Sequence, residues 1–258
     1  MDRPELTSAQ SPLVYLHGLP GSPDEVKLIC GAPSRFFAPN LRDGALDPQI
    51  TAQFGIQPVT LIGFSLGAFR ALRFAADHPE GVAHLHLIAP AAPLELGDFL
   101  DQMAGGPIFR MARDHPKLFR LVTRLQTLAS RIAPEFFAAQ IFARAQGGDT
   151  ALKAKAGFLR DWGHIARQCL ADGAQAYRDE ITAYVAPWAE LLSRVQTPTS
   201  IWYGGADNWT PPVMAEALIK KLPIPPQVRR IENASHYSTL AAALAQITAP
   251  YRTANNPC

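Results

Sequence analysis

The stretch Pro58–Ala76, PVTLIGFSLGAFRALRFAA, constrains this chain more than any other. Val59-Thr60-Leu61-Ile62 is a β-branched, apolar run of the kind buried on both faces of a parallel sheet. From Leu66 to Ala76 the apolar residues recur at helical spacing (Leu66, Phe69, Leu72, Ala76), with Arg70 and Arg73 on the other side. Between the two lies G-F-S-L-G at positions 63–67. A strand that becomes a helix within one residue strains that residue, and small neighbours are needed for strand and helix to pack so closely. Ser65 is thereby expected at the tip of a sharp turn with a helix N-terminus behind it. Taken alone, the pattern also fits a purely structural strand–turn–helix.

The same strand-to-loop pattern recurs along the chain. Leu13–Leu16 reads as a buried strand ending in H-G-L-P-G-S at 17–22. Asp24–Cys30 allows a short helix, Arg35–Pro39 a second strand and Asp47–Phe54 a helix. Ala83–Ala89 reads as a fourth strand, whose His84 and His86 share one face as packing residues. Residues 93–195 then show no strand pattern. They read as amphipathic helices punctuated at Gly105-Gly106-Pro107, His115-Pro116, Ala133-Pro134, Gly147-Gly148, Gly173 and Ala186-Pro187, too long a block for a crossover. Strands return at Thr199–Tyr203, followed by G-G-A-D-N-W-T-P-P at 204–212, and at Val228–Ile231, followed by A-S-H at 234–236. Helices over Val213–Leu222 and Thr239–Ile247 complete the alternation. It predicts a parallel sheet with right-handed crossovers, in which ligands gather at the carboxyl ends of the strands. Leu19, Ser65, Asp207 and His236 all come directly after strands and are expected at one edge.

Those loops, in that order, resemble the α/β-hydrolase family. The resemblance covers the flanks, about 11–92 and 196–248. It implies a mostly parallel, doubly wound α/β core, N-terminally shortened, from residues 1–92 and 196–258, with an inserted all-helical cap at 93–195. Asn40 stands where many members carry aspartate. The family's chemistry assigns Ser65 as nucleophile, and His236 as the base that removes its proton and returns it to the leaving group. Asp207 holds the imidazole, and the backbone N–H groups of Leu19 and Leu66 form the oxyanion hole. Trp209 and Phe64 are the candidate substrate-binding residues. Glu95 and Asp98, after the fourth strand, are the reserve acids, and Asp207 has the plainer alternative of capping the helix that comes after it.

The function implied is that of a serine hydrolase of a small or medium carboxylic ester, needing no metal or organic cofactor. Lactones, thioesters and carrier-linked esters share the acylation step, as do carbon–carbon bond hydrolysis and cofactor-free peroxidation on the same triad. A ligand-binding receptor of the same fold is the non-catalytic alternative. A serine at 65 argues against dehalogenase and epoxide-hydrolase chemistry, which uses aspartate there.

Composition excludes some partners. The 258 residues carry a net charge of +2 and no basic block, so nucleic acid is not expected. Three widely spaced cysteines (Cys30, Cys169, Cys258) suit a reducing compartment. The opening MDRPELTSAQSP has no apolar run of a signal peptide, and no window approaches a membrane span, so a cytoplasmic protein without membrane contact is expected. The first ten residues and the tail from Pro250 are the expected disordered pieces.

The block 93–195 holds 13 Lys/Arg against 11 Asp/Glu and many apolar side chains, among them Phe99, Met103, Ile108, Phe109 and Trp162. It is expected to roof the site. Lys117, Arg120, Arg124 and Arg131 fall near one helix face, with Arg110 and Arg113 just before them. They read as a solvated face or as a dock for an acidic carrier protein.

Overall fold

A computed structural model describes residues 11–30, 36–40 and 44–251. The expectations for residues 1–10, for Arg35 and for the tail beyond Tyr251 lie outside the described residues.

Six strands are present among the described residues: β1 (Leu13–Leu16), β2 (Phe36–Phe37), β3 (Val59–Phe64), β4 (Val82–Ile88), β5 (Thr199–Gly204) and β6 (Gln227–Ile231). They form one sheet in the order β2-β1-β3-β4-β5-β6, and every pairing is parallel. Burial tracks position in the sheet. All residues of β1, β3 and β5 are buried, whereas the first four residues of edge strand β6 are exposed. The uninterrupted apolar runs of β1 and β3 are therefore the signature of central strands covered on both faces.

The core helices are α1 (Glu25–Cys30), α2 (Leu46–Phe54), α3 (Gly67–Asp77), α10 (Pro212–Lys221) and α11 (His236–Ile247). Helix α3 packs on β1, β3 and β4, and α10 and α11 pack on β5. Between β4 and β5 lie α4 (Gly106–Asp114), α5 (Pro116–Ile132), α6 (Pro134–Ile141), α7 (Gly147–Ala154), α8 (Phe158–Arg167) and α9 (Ala174–Val185), without a strand among them. Each begins at or beside one of the Gly or Pro signals except α8, whose preceding Gly157 has φ +82°. The fold is thus an α/β sheet with an all-helical insertion. No described helix is long and apolar enough to cross a membrane.

Tertiary packing decides two features that the helical pattern leaves open. Arg70 lies off the apolar row of α3 but is not exposed. Its guanidinium donates to the His17 carbonyl and stands 3.3 Å from Glu180 of α9. The last helix starts at His236, three residues before Thr239. The reason is tertiary. Asp149 of α7, fully buried, accepts from Tyr237 N (3.0 Å) and Ser238 N (2.7 Å), and so satisfies the orphan N–H groups of the first turn. Ser238 Oγ adds a relay, donating to Asp149 Oδ1 and accepting from Ser235 N.

Candidate active site

The turn at 63–67 takes the strained form that its sequence requires. Ser65 has φ +56°, a left-handed conformation for a non-glycine residue, and it connects β3 directly to α3. Its own N–H donates to Ile88 O at 3.0 Å, tying the turn to the end of β4. The flanking glycines are obligatory. A Cβ on Gly67 would overlap the Leu16 carbonyl, and one on Gly63 would stand 2.7 Å from Ala68 Cα.

Asp207 and His236 reach the same place from β5 and β6. Asp207 Oδ1 accepts from Trp209 N at 2.8 Å and Thr210 N at 3.0 Å, and Oδ2 lies 2.9 Å from His236 Nδ1. An ionised carboxylate can only accept, so the proton of that last contact belongs to Nδ1, and the neutral ring keeps its lone pair on Nε2. Asp207 and His236 are both buried. The histidine ring is clamped, stacked on Trp209 (5.2 Å between centroids, 11° between planes) and tilted against Phe64 at 4.6 Å. Thr210 Oγ1 stands 3.1 Å from Asp207 Oδ2 and 2.9 Å from Ala89 O, linking the acid to the end of β4.

Ser65, Leu19, Pro20, Leu66, Trp209 and Thr210 open on one cavity of about 150 Å³, whose remaining walls come from the helical insertion, notably Met103, Phe109, Gln126, Phe137 and Tyr177. Among the described residues no hydrogen bond reaches Ser65 Oγ, and the N–H groups of Leu19 and Leu66 find no acceptor within the protein. Two unspent donors therefore border the space in front of the serine. A more open depression of about 280 Å³, walled by Asp47, Arg73, Asp77 and Glu180, shares no residue with this cavity. No group of three or more His, Cys, Asp or Glu among the described residues is placed to hold a metal ion.

A sequence profile for the alpha/beta hydrolase fold matches residues 43–242. The chain belongs to the α/β-hydrolase fold family. Within this family member the matched span includes Ser65, Asp207 and His236, and begins after the 17–22 loop. No curated protein sequence matches the chain. Solved structures of similar fold include an esterase from Thermogutta terrifontis, 18% identical with a TM-score of 0.66, covering 93% of this chain and 87% of that one. An esterase from Exiguobacterium antarcticum is 15% identical with a TM-score of 0.62 and covers 92% and 89%. An enol-lactonase from Burkholderia xenovorans LB400 is 15% identical with a TM-score of 0.61 and covers 92% and 89%. At such identities the likeness is one of fold.

Some sequence-derived candidates sit elsewhere in this α/β-hydrolase fold. Phe64 is fully buried beneath His236 and Tyr237 and does not line the cavity. Glu95 is occupied with Trp188 N and Ala189 N (2.6 and 2.5 Å) and makes no contact with His236. Asp98 is exposed. His84 and His86 do share a face, with rings 4.5 Å apart, but are only partly buried, His84 bonding Ser200 Oγ at 2.9 Å.

Sequence reasoning missed the supports. Glu25, fully buried at the start of α1, accepts from Gly18 N (3.0 Å), Tyr15 OH (2.8 Å) and Tyr237 OH (2.9 Å). It thus ties the 17–22 loop to the residue after His236. Burial pushes its carboxyl pKa up, against the pull of those donors. Trp162 of α8 donates to the Tyr237 hydroxyl at 2.7 Å, extending the chain of bonds into the insertion. His17, buried and beside Arg70, is held down to about 3 by burial first and by that guanidinium second. Ala89, like Ser65, has positive φ, at +43°. No local pattern reveals the contacts with Tyr237, because Glu25 and Trp162 stand 212 and 75 positions from it.

Proposed function

We propose that the protein is a serine hydrolase acting on a carboxylic ester with a short, apolar acyl group. The observations that carry this reading are the Asp207–His236 pair, 2.9 Å apart and clamped by Trp209, and a serine at φ +56° that shares an apolar cavity with Trp209 and Thr210. In this reading Ser65 Oγ attacks the ester carbonyl while His236 Nε2 takes its proton. The imidazolium formed is stabilised by the Asp207 carboxylate. The developing oxyanion takes the two unspent N–H groups of Leu19 and Leu66, each worth about 3–4 kcal/mol in the transition state. His236 passes its proton to the departing alkoxide, then deprotonates a water that attacks the acyl-enzyme and frees Ser65. No step calls for a metal or organic cofactor.

The cavity favours a small acyl group, because about 150 Å³ lies below the ordinary range for drug-sized ligand pockets. We assign residues 93–195 the part of a lid. They supply its apolar walls, and Tyr184 OH and Trp162 Nε1 anchor them to Ala92 O and Tyr237 OH.

Labelling with a fluorophosphonate probe tests the proposal. Wild type should label and Ser65→Ala should not, and a p-nitrophenyl ester series should favour short acyl chains. Folded wild-type protein that resists labelling would leave a ligand-binding role in place of hydrolysis.

A further inference from the structure

Helix α5 meets the rest of the protein along one side only. Phe119, Thr123 and Ser130 are its buried residues. On another side Leu118, Leu121, Leu125, Leu128 and Ile132 are exposed by 45, 51, 58, 54 and 73%, and Phe136 at the start of α6 continues the patch at 66%. Their spacing alternates three and four residues along α5, which sets them on a single face. Contiguous faces of this kind mark contact sites.

The charges at its border indicate what covers it. Lys117, Arg120 and Arg124 are exposed along one flank, and none has an acidic side chain within ion-pair reach among the described residues. Helix α5 itself, PKLFRLVTRLQTLASRI, contains no acidic residue. An antiparallel second copy on this face would set that cationic row against its own image. An acidic carrier protein held by charge accounts for the cations but not for six large side chains left at least 45% exposed. Residues 1–10 offer only Met1 and Leu6 as large apolar groups, too few to cover the patch.

We propose that α5 docks the protein on an anionic lipid surface. The leucine face lies in the plane of the interface, and Lys117, Arg120 and Arg124 stand at the depth of the headgroup phosphates. At 1.5 Å per residue the helix offers about 25 Å of such contact. The assignment does not depend on hydrolase activity and holds equally for Ser65→Ala.

Flotation with large unilamellar vesicles tests it, comparing phosphatidylcholine alone with a mixture containing about one-third phosphatidylglycerol. Wild type should float with the anionic vesicles at low salt, and its partition should fall roughly a hundredfold on the neutral ones. Leu121→Asp with Leu125→Asp, both at positions over half exposed, should abolish flotation while leaving the thermal melt in place. Arg120→Glu with Arg124→Glu should remove the preference for anionic lipid. The proposal fails if wild type stays unbound on both vesicles, or if the double aspartate variant floats like wild type. It fails equally if sedimentation shows a wild-type dimer that the aspartates split, which would give the face to a second copy.

Discussion

Asp207 keeps its place through four contacts, two from backbone N–H groups, one from the Thr210 hydroxyl and one from His236. Replacing Thr210 by Val removes the hydroxyl whose single proton is shared between Ala89 O and Asp207 Oδ2, so these buried acceptors lose that donor. A loss of about 1–3 kcal/mol in stability is expected, measured by urea unfolding. Because the acid also loses one of its holders, kcat should fall more than KM rises. Asp207→Asn is the sharper test. An amide can turn its NH2 toward Nδ1 and so impose the wrong tautomer, and kcat on a p-nitrophenyl ester should drop by about 10⁴-fold with little change in fold. Ser65 and Asp207 are legible in the sequence because each sits in a short local pattern. Thr210 lies inside one of those patterns too, but its role depends on Ala89 across the sheet.

Two junctions decide whether the elements carrying these residues meet. The first is β3 to α3, where Gly67 lies against the Leu16 carbonyl of the neighbouring strand. Gly67→Ala should unfold the protein or cost several kcal/mol, since a backbone carbonyl of a central strand cannot move aside. The second is the start of α11, which depends on a carboxylate from the insertion, Asp149. Asp149→Ala removes a fully buried cap, with an expected loss of about 2 kcal/mol read as a lower Tm, and it frees the turn that bears His236. Activity should fall with it, and Asp149→Asn, whose single amide oxygen can replace only one of the two carboxylate acceptors, should fall between wild type and Asp149→Ala if capping is the cause. Sequence pattern places this helix three residues late because Asp149 stands nearly ninety positions away. The strands are legible to within a residue or two, since their signal is the apolar run itself.

Across the whole molecule, buried titratable groups set the pH range of stability, with opposite signs. His17 and His86 are both held near 3, chiefly by burial, against 6.5 when unfolded. Their contribution is complete above about pH 6.5 and is lost as pH falls from there toward 3. For the more deeply buried His17, a fall from 6.5 to about 3 corresponds to about 5 kcal/mol. His17→Gln should therefore flatten the acid limb of a plot of unfolding free energy against pH. Glu25 acts in the other direction. Its folded pKa is raised above 4.5 by burial, so its contribution is complete below about pH 4.5 and is lost as pH rises. Glu25→Gln should gain stability relative to wild type between pH 4 and pH 8, and a difference in Tm that stays constant with pH would contradict a raised pKa.

The sequence by itself determined the order of strands and helices, the turn at Gly63–Gly67 and the loops that bear Ser65, Asp207 and His236. These are written in runs of a few residues, where periodicity and small side chains act locally. Only the tertiary structure decided what those loops lean on. Helical spacing sets Arg70 off the apolar row of α3 without saying what faces it, and α9 supplies Glu180 there. Phe64, a pocket wall by its place in the turn, becomes the floor beneath His236 once α11 packs over it. The cations of α5 are visible in the chain as charges. That they border an exposed leucine face, instead of a buried one, is fixed by which side of the helix the rest of the protein leaves uncovered. A strained turn is local and can be read from its own residues. A buried partner, or an unburied face, is a property of what packs there.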